Sequence, residues 1–169
     1  MSIRLRKLEK KDAPYMYEWM QNNDVTRYMR NDFAHMTLSD CVSFINKSML
    51  DEKNIHMAIV NSNDEYQGTV SLKNISNARA EFAITIRASA MGQDISSDAM
   101  EKMIHYGLFE LNLEYIYWFV SKFNKRAIRF YDKNGFRRIG LIESKKYSFC
   151  QDLDNYIWYI VNKEDNRYA

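Results

Sequence analysis

Asn124-Lys125-Arg126-Ala127-Ile128-Arg129-Phe130-Tyr131-Asp132-Lys133-Asn134-Gly135-Phe136 is a helix with both of its ends written into the sequence. Asparagine is a favoured N-cap, because its side-chain oxygen accepts one of the N–H groups that the first turn leaves unpaired. Glycine is favoured just past a helix C-terminus, where the chain turns through the left-handed region. Asn124 and Gly135 are spaced to do these two jobs. Ile128 and Tyr131, three residues apart, share a face, so spacing alone makes Tyr131 a core aromatic.

Working outward, EYIYWFV predicts a strand over 114–120 immediately before this helix. Before that strand, Met100, Met103, Ile104, Gly107, Leu108 and Leu111 fall on one face of a helix predicted over 97–111. Further back, NIHMAIV, YQGTVSL and AEFAITI are separated by the turn-like SNDE and NISNAR. They predict an antiparallel meander over 54–61, 66–73 and 80–87. Thr37 and Asp40 have capping-box spacing and open a helix that runs to about Leu50. Asp12 and Pro14 start an earlier helix over 12–22, preceded by a short strand through Ile3 and Leu5. On the C-terminal side, strands are predicted around 138–147 and 155–161. The order predicts a mixed α/β chain, with a central sheet and helices on both faces.

The 169 residues fit one domain, and no proline-, glycine- or serine-rich linker or repeat divides them. A net charge of +2, with both signs mixed along the chain, argues against a nucleic-acid surface or a polybasic membrane patch. No apolar run approaches the ~20 residues of a membrane span, and the basic start lacks a signal peptide's apolar stretch. The expected location is the cytoplasm. Cys41 and Cys150 form neither a disulfide framework nor a metal-ligand pattern, and both are expected to be packed thiols. His35, His56 and His105 are isolated, so neither a Ser/His/Asp set nor a metal site can be assembled. Tyr15, Met16, Trp19, Met20, Tyr28 and Met29 are expected in the core.

Three segments, Ala80-Glu81-Phe82, the junction 90–97 and the stretch 124–136, together resemble the GNAT acetyltransferases, specifically the branch that includes the ribosomal-protein N-terminal acetyltransferases. N-x-x-A-I-x-F-Y-x-x-x-G-F matches at every diagnostic position, and the element order matches over nearly the whole chain. The junction departs from the family's Q/R-x-x-G-x-G/A, because Met91 stands in place of Arg or Gln and Asp94 in place of glycine. The resemblance implies a GNAT fold, a mostly antiparallel sheet whose fourth and fifth strands splay apart. It also implies acetyl transfer from acetyl-coenzyme A to a primary amine by direct attack, without a metal.

The resemblance also assigns roles. Gly92, Gln93, Asp94, Ile95, Ser96 and Ser97 become the cofactor's pyrophosphate loop, where free N–H groups at a helix start meet an anion. Asn124 becomes a contact to the pantetheine arm as well as a cap. Tyr131 becomes the acid that protonates the leaving thiolate. Glu81 matches the position of a general base in some members, whereas strand alternation makes it a solvated glutamate. Phe119 stands where other members carry that base. The acceptor is left open among an amino sugar or its nucleotide conjugate, a protein N-terminus and a polyamine or drug amine, with the amino sugar preferred. A homodimer is an allowed assembly. The opposing expectation, raised by Met91 and Asp94, is a non-catalytic acyl-coenzyme A-binding or scaffold domain.

Overall fold

The computed structural model describes residues 2–165. The three central runs pair as their alternation requires. β2 (Ile55–Val60), β3 (Tyr66–Ser76) and β4 (Arg79–Ile86) form the meander, with Leu72 opposite both Ile55 and Phe82. With β1 (Arg4–Lys7), β5 (Tyr115–Ser121), β6 (Arg137–Arg138) and β7 (Tyr156–Asn162) they make a seven-stranded sheet in the order β1-β2-β3-β4-β5-β7-β6. All pairings are antiparallel except β4 with β5, which is parallel.

Side chains alternate between faces, so β2, β3, β5 and β7 each contribute to two cores. Val70, Leu72, Ala80, Phe82, Ile116, Trp118 and Tyr159 form one core with α4 (Ile95–His105) and α5 (Lys125–Lys133). On the other face Ala58, Val60 and Tyr66 pack beneath α1 (Ala13–Met20) and α3 (Leu38–Ser48). Farther along that face, Tyr117, Ile139, Trp158 and Ile160 form an aromatic cluster with Tyr147 and Phe149. Met16, Trp19 and Met20 are buried in the α1 core as expected, whereas Tyr28 is exposed. Cys41 is buried and Cys150 half-buried, both as free thiols raised by burial.

Helix α3 begins with the capping box expected of Thr37 and Asp40. Asp40 N–H donates to Thr37 Oγ1 at 3.1 Å, and Thr37 N–H donates to Asp40 at 2.8 Å. Asp12 does not cap α1 through its side chain. Its carboxylate instead accepts from Arg6 at 2.8 and 2.9 Å and from Glu9 N–H at 2.8 Å, so a 3-10 turn precedes the helix.

Two predictions of extent are corrected. The helix predicted over 97–111 starts earlier, at Ile95, and ends at His105 in a π turn, Tyr106–Glu110. The wide turn lets Gly107 press on the sheet, where a Cβ would come within 2.7 Å of Ile116 Cδ1 and 2.9 Å of Leu72 Cδ1. The strand predicted over 138–147 shrinks to Arg137–Arg138, and a helical turn, α6 (Leu141–Ser144), follows. Leu141 and Ile142 are 71% and 82% exposed, so the apolar alternation there serves no buried face.

Candidate active site

The parallel β4–β5 ladder runs from Arg79↔Tyr115 through Ala80↔Ile116 to Glu81↔Tyr117 and then stops. β4 continues to Ile86 and β5 to Ser121, so the two strands part into a V whose vertex is at Glu81 and Tyr117. Each strand is covered on its far side, β4 by β3 and β5 by β7, so only the sides that face each other past the ladder are unpaired. The V therefore exposes backbone hydrogen-bonding groups of β4 between two rigid walls, and such groups demand partners.

Register places the two expected catalytic side chains on opposite faces at this vertex. Phe82 and Trp118, the first residues past the ladder, point into the α4/α5 core and meet edge to face at 5.7 Å. Tyr131 lies over them on α5, with its ring 5.5 Å from Trp118 and 5.0 Å from Tyr159. Burial, with a smaller contribution from Tyr159, raises its phenol above the ordinary value. Its hydroxyl makes no hydrogen bond among the described residues, and the nearby Trp118 indole nitrogen is buried without a partner. Tyr131 is thus the packed aromatic that spacing suggests, with a hydroxyl that has no protein acceptor among the described residues.

Glu81 occupies the other face. It is 15% exposed and pairs with Lys73 on β3 at 3.1 Å, so it is not the freely solvated glutamate of simple alternation. Beside it Tyr117 stacks on Phe149 at 3.6 Å, and burial followed by the Glu81 charge raises its phenol. Arg30, from the segment after α2 (Asn23–Thr26), closes over this aromatic wall, 4.2 Å from the Phe119 ring centroid and 4.5 Å from that of Tyr156. Phe119 is part of the wall, which fits the absence of a base there.

At the open end of the V, Gly92 and Asp94 both adopt left-handed backbone, with φ of 79° and 59°. A Cβ at Gly92 would meet nothing within 4 Å, so its glycine serves the turn rather than close packing. Asp94 is the N-cap residue of α4 but makes no side-chain cap. Gln93 is tied back to the Ser89 carbonyl at 3.2 Å, Ile95 is buried, and Ser97 donates to Asn134, just past the C-terminus of α5, at 3.4 Å. Any anion held here is therefore held mainly by the backbone N–H groups of the first turn. Asn124 caps α5 by accepting from Ala127 N–H at 3.1 Å. The sequence reading missed Lys73, Arg30 and Arg126. Arg126 reaches from α5 across the V mouth to place Nη1 3.6 Å from Met91 Sδ. A run of cations from Lys122 to Lys133 was the available signal for Arg126, whereas no local pattern marks the other two.

The acetyltransferase (GNAT) domain family matches residues 2–137, most of the chain, and the chain belongs to that family. It is an acetyl-coenzyme A-dependent N-acetyltransferase. Among its relatives is the spermidine N(1)-acetyltransferase of Escherichia coli K12, 32% identical over 142 residues, covering 80% of this chain and 73% of that protein. The "uncharacterized N-acetyltransferase p20" of Bacillus licheniformis is 28% identical over 167 residues, covering 96% and 94%. The fold is shared with Vibrio cholerae spermidine N-acetyltransferase in complex with CoA and spermine, at a TM-score of 0.79 and 22% identity over 95% of each chain. The Escherichia coli and Vibrio cholerae proteins are spermidine acetyltransferases, not members of the expected ribosomal-protein branch.

Proposed function

We propose that the enzyme transfers acetyl from acetyl-coenzyme A to a primary amine of a small aliphatic polyamine by direct attack. The observation that carries the reading is the break in the β4–β5 ladder with Glu81 and Tyr131 on opposite faces of the vertex. A thioester lying between the strands would meet an amine from the Glu81 side and expel its thiolate towards Tyr131. The loop Gly92 to Ser97 holds the pyrophosphate through backbone N–H groups, and Asn124 meets the pantetheine arm. Glu81 takes up the amine's proton, and Tyr131 supplies one to the thiolate. The burial that raises the phenol keeps it protonated at every pH at which the enzyme would work.

The acceptor class rests on the Escherichia coli relative, which acts on spermidine. It takes the place of the amino sugar preferred from sequence. The Lys73–Glu81 pair supports it physically, because a substrate ammonium can displace Lys73 and exchange one cation for another at the same carboxylate. The test is coenzyme A release with spermidine, spermine, a simple amino sugar and a peptide with a free N-terminus. Spermidine is expected to exceed the amino sugar and the peptide by at least ~100-fold in kcat/KM, worth about 2.7 kcal/mol of transition-state binding. An amino sugar turned over as well as spermidine would overturn the acceptor assignment. Binding of acetyl-coenzyme A with no turnover of any amine would overturn the catalytic roles.

A further inference from the structure

We propose that Arg126 is a cofactor-binding residue, which holds the pyrophosphate of acetyl-coenzyme A from the α5 side of the V and offsets the negative charge of Asp94. The proposal rests on the reading above that the cosubstrate lies in the V with its pyrophosphate at the loop from Gly92 to Ser97.

Most cations packed near the sheet are already committed. Arg6, Lys11, Lys73, Arg87, Arg137 and Arg138 all have carboxylate partners. The segment from Lys122 to Lys133 is different. Lys122, Lys125, Arg126, Arg129 and Lys133 make no ion pair among the described residues, and the segment's only acid, Asp132, is taken by Arg138 at 2.6 Å and by the Tyr159 hydroxyl at 3.0 Å. The segment therefore carries a run of cations with no carboxylate partner among the described residues.

Within this segment Arg126 is the residue that geometry selects. It is the second residue of α5, and its side chain crosses the mouth to Met91, the residue immediately before Gly92. The bond from Ser97 to Asn134, at the other end of α5, shows that α5 lies alongside the start of α4. Met91 offers only a thioether, a weak acceptor that leaves the planar fork of guanidinium donors largely unused. That fork matches two oxygens of a phosphate, which a lysine cannot do. The loop itself has the opposite problem. Asp94 is exposed beside the free N–H groups, and Gln93 is held by Ser89, so the loop brings a negative charge and no cation of its own to the cosubstrate. Arg126 supplies the missing cation from the opposite wall.

The test is calorimetric titration of coenzyme A and of 3′-dephospho-coenzyme A into the parent, Arg126→Ala and Arg126→Lys proteins. The Arg126→Ala protein is expected to bind coenzyme A about tenfold more weakly, with Arg126→Lys in between, and the deficit should shrink as salt screens the contact. The same deficit is expected with 3′-dephospho-coenzyme A, because both ligands carry the pyrophosphate. In steady state, KM for acetyl-coenzyme A should rise by the same factor, with kcat within about twofold. Thermal melting of the variants should be unchanged, since Arg126 is exposed. A deficit that disappears with 3′-dephospho-coenzyme A would move Arg126 to the 3′-phosphate and overturn the pyrophosphate assignment. Parent-like affinity in Arg126→Ala would remove Arg126 from the site while leaving the proposed function standing. Failure of the parent to bind coenzyme A would overturn both.

Discussion

Asp94 bears two costs at one position. Its φ of 59° lies in the left-handed region, where a side chain other than glycine's costs ~1 kcal/mol, less for aspartate than for most residues. Its carboxylate also stands where the cofactor's phosphates are proposed to lie. Asp94→Gly removes both, but glycine adds unfolded-state entropy of ~0.4–1 kcal/mol, which nearly cancels the relief of strain. The melting temperature should barely move, while acetyl-coenzyme A tightens about tenfold or more. Asp94→Asn tolerates the same backbone and should recover only the charge part, with a gain that fades as salt rises. A glycine variant without tighter binding would place the carboxylate away from the phosphates. Tyr131→Phe separates chemistry from packing in the same way. The hydroxyl has no protein partner among the described residues and the ring is kept, so stability should hold within ~1 kcal/mol while kcat falls about 10²-fold or more. Normal turnover in single-turnover assays would exclude Tyr131 as the acid.

At the scale of elements, the helix ends were legible because their chemistry is local. Thr37, Asp40, Asn124 and Gly135 each act within a few residues of themselves, and each is found in the predicted position. The failures lie where a distant partner decides. Nothing inside 138–147 shows that only Arg137 and Arg138 find an edge on β7, and nothing near Glu81 announces Lys73 across the β3–β4 ladder. The candidate site was legible for the same reason in its capped helix and its loop, and hidden in its cross-strand and cross-helix contacts. Gly68 is another position whose meaning is tertiary. A Cβ there would stand 2.3 Å from the Thr85 carbonyl oxygen and 3.1 Å from Ile86 Cα, atoms of the β4 backbone just before the proposed cofactor loop. The neighbouring strand has to move, so Gly68→Ala should cost ~1–3 kcal/mol and also raise KM for acetyl-coenzyme A. Denaturant unfolding checks the first effect and steady-state kinetics the second. A stable variant with an altered KM would show that β4 can shift without unfolding.

For the whole molecule, the buried tyrosines tie stability to pH on the alkaline side. Burial is the largest cause of the raised phenols of Tyr66, Tyr131 and Tyr159, the last of these pushed up to about 12 and also held by its hydrogen bond to Asp132. In the unfolded chain all three return to about 10. Below that pH both states keep the protons, and stability does not depend on these groups. As pH rises past about 10 the unfolded chain loses protons that the folded chain retains. Stability must then fall, by up to ~1.4 kcal/mol per pH unit for each group, until the folded value is reached. Urea unfolding of the parent from about pH 8 to pH 11.5 should therefore show a plateau followed by a steep decline beginning near pH 10. Tyr131→Phe is the informative variant, because its hydroxyl is buried without a hydrogen bond among the described residues. It should match the parent on the plateau and decline less steeply, by up to one proton's worth. Tyr66→Phe is less clean, since it also strands the Trp19 indole N–H, which donates to the Tyr66 hydroxyl at 3.0 Å. It should lose stability at every pH as well as flattening the decline. Parallel alkaline limbs in the parent and Tyr131→Phe would mean that Tyr131 titrates near its ordinary value, and that the phenol proposed to protonate the thiolate is open to solvent rather than enclosed in the core.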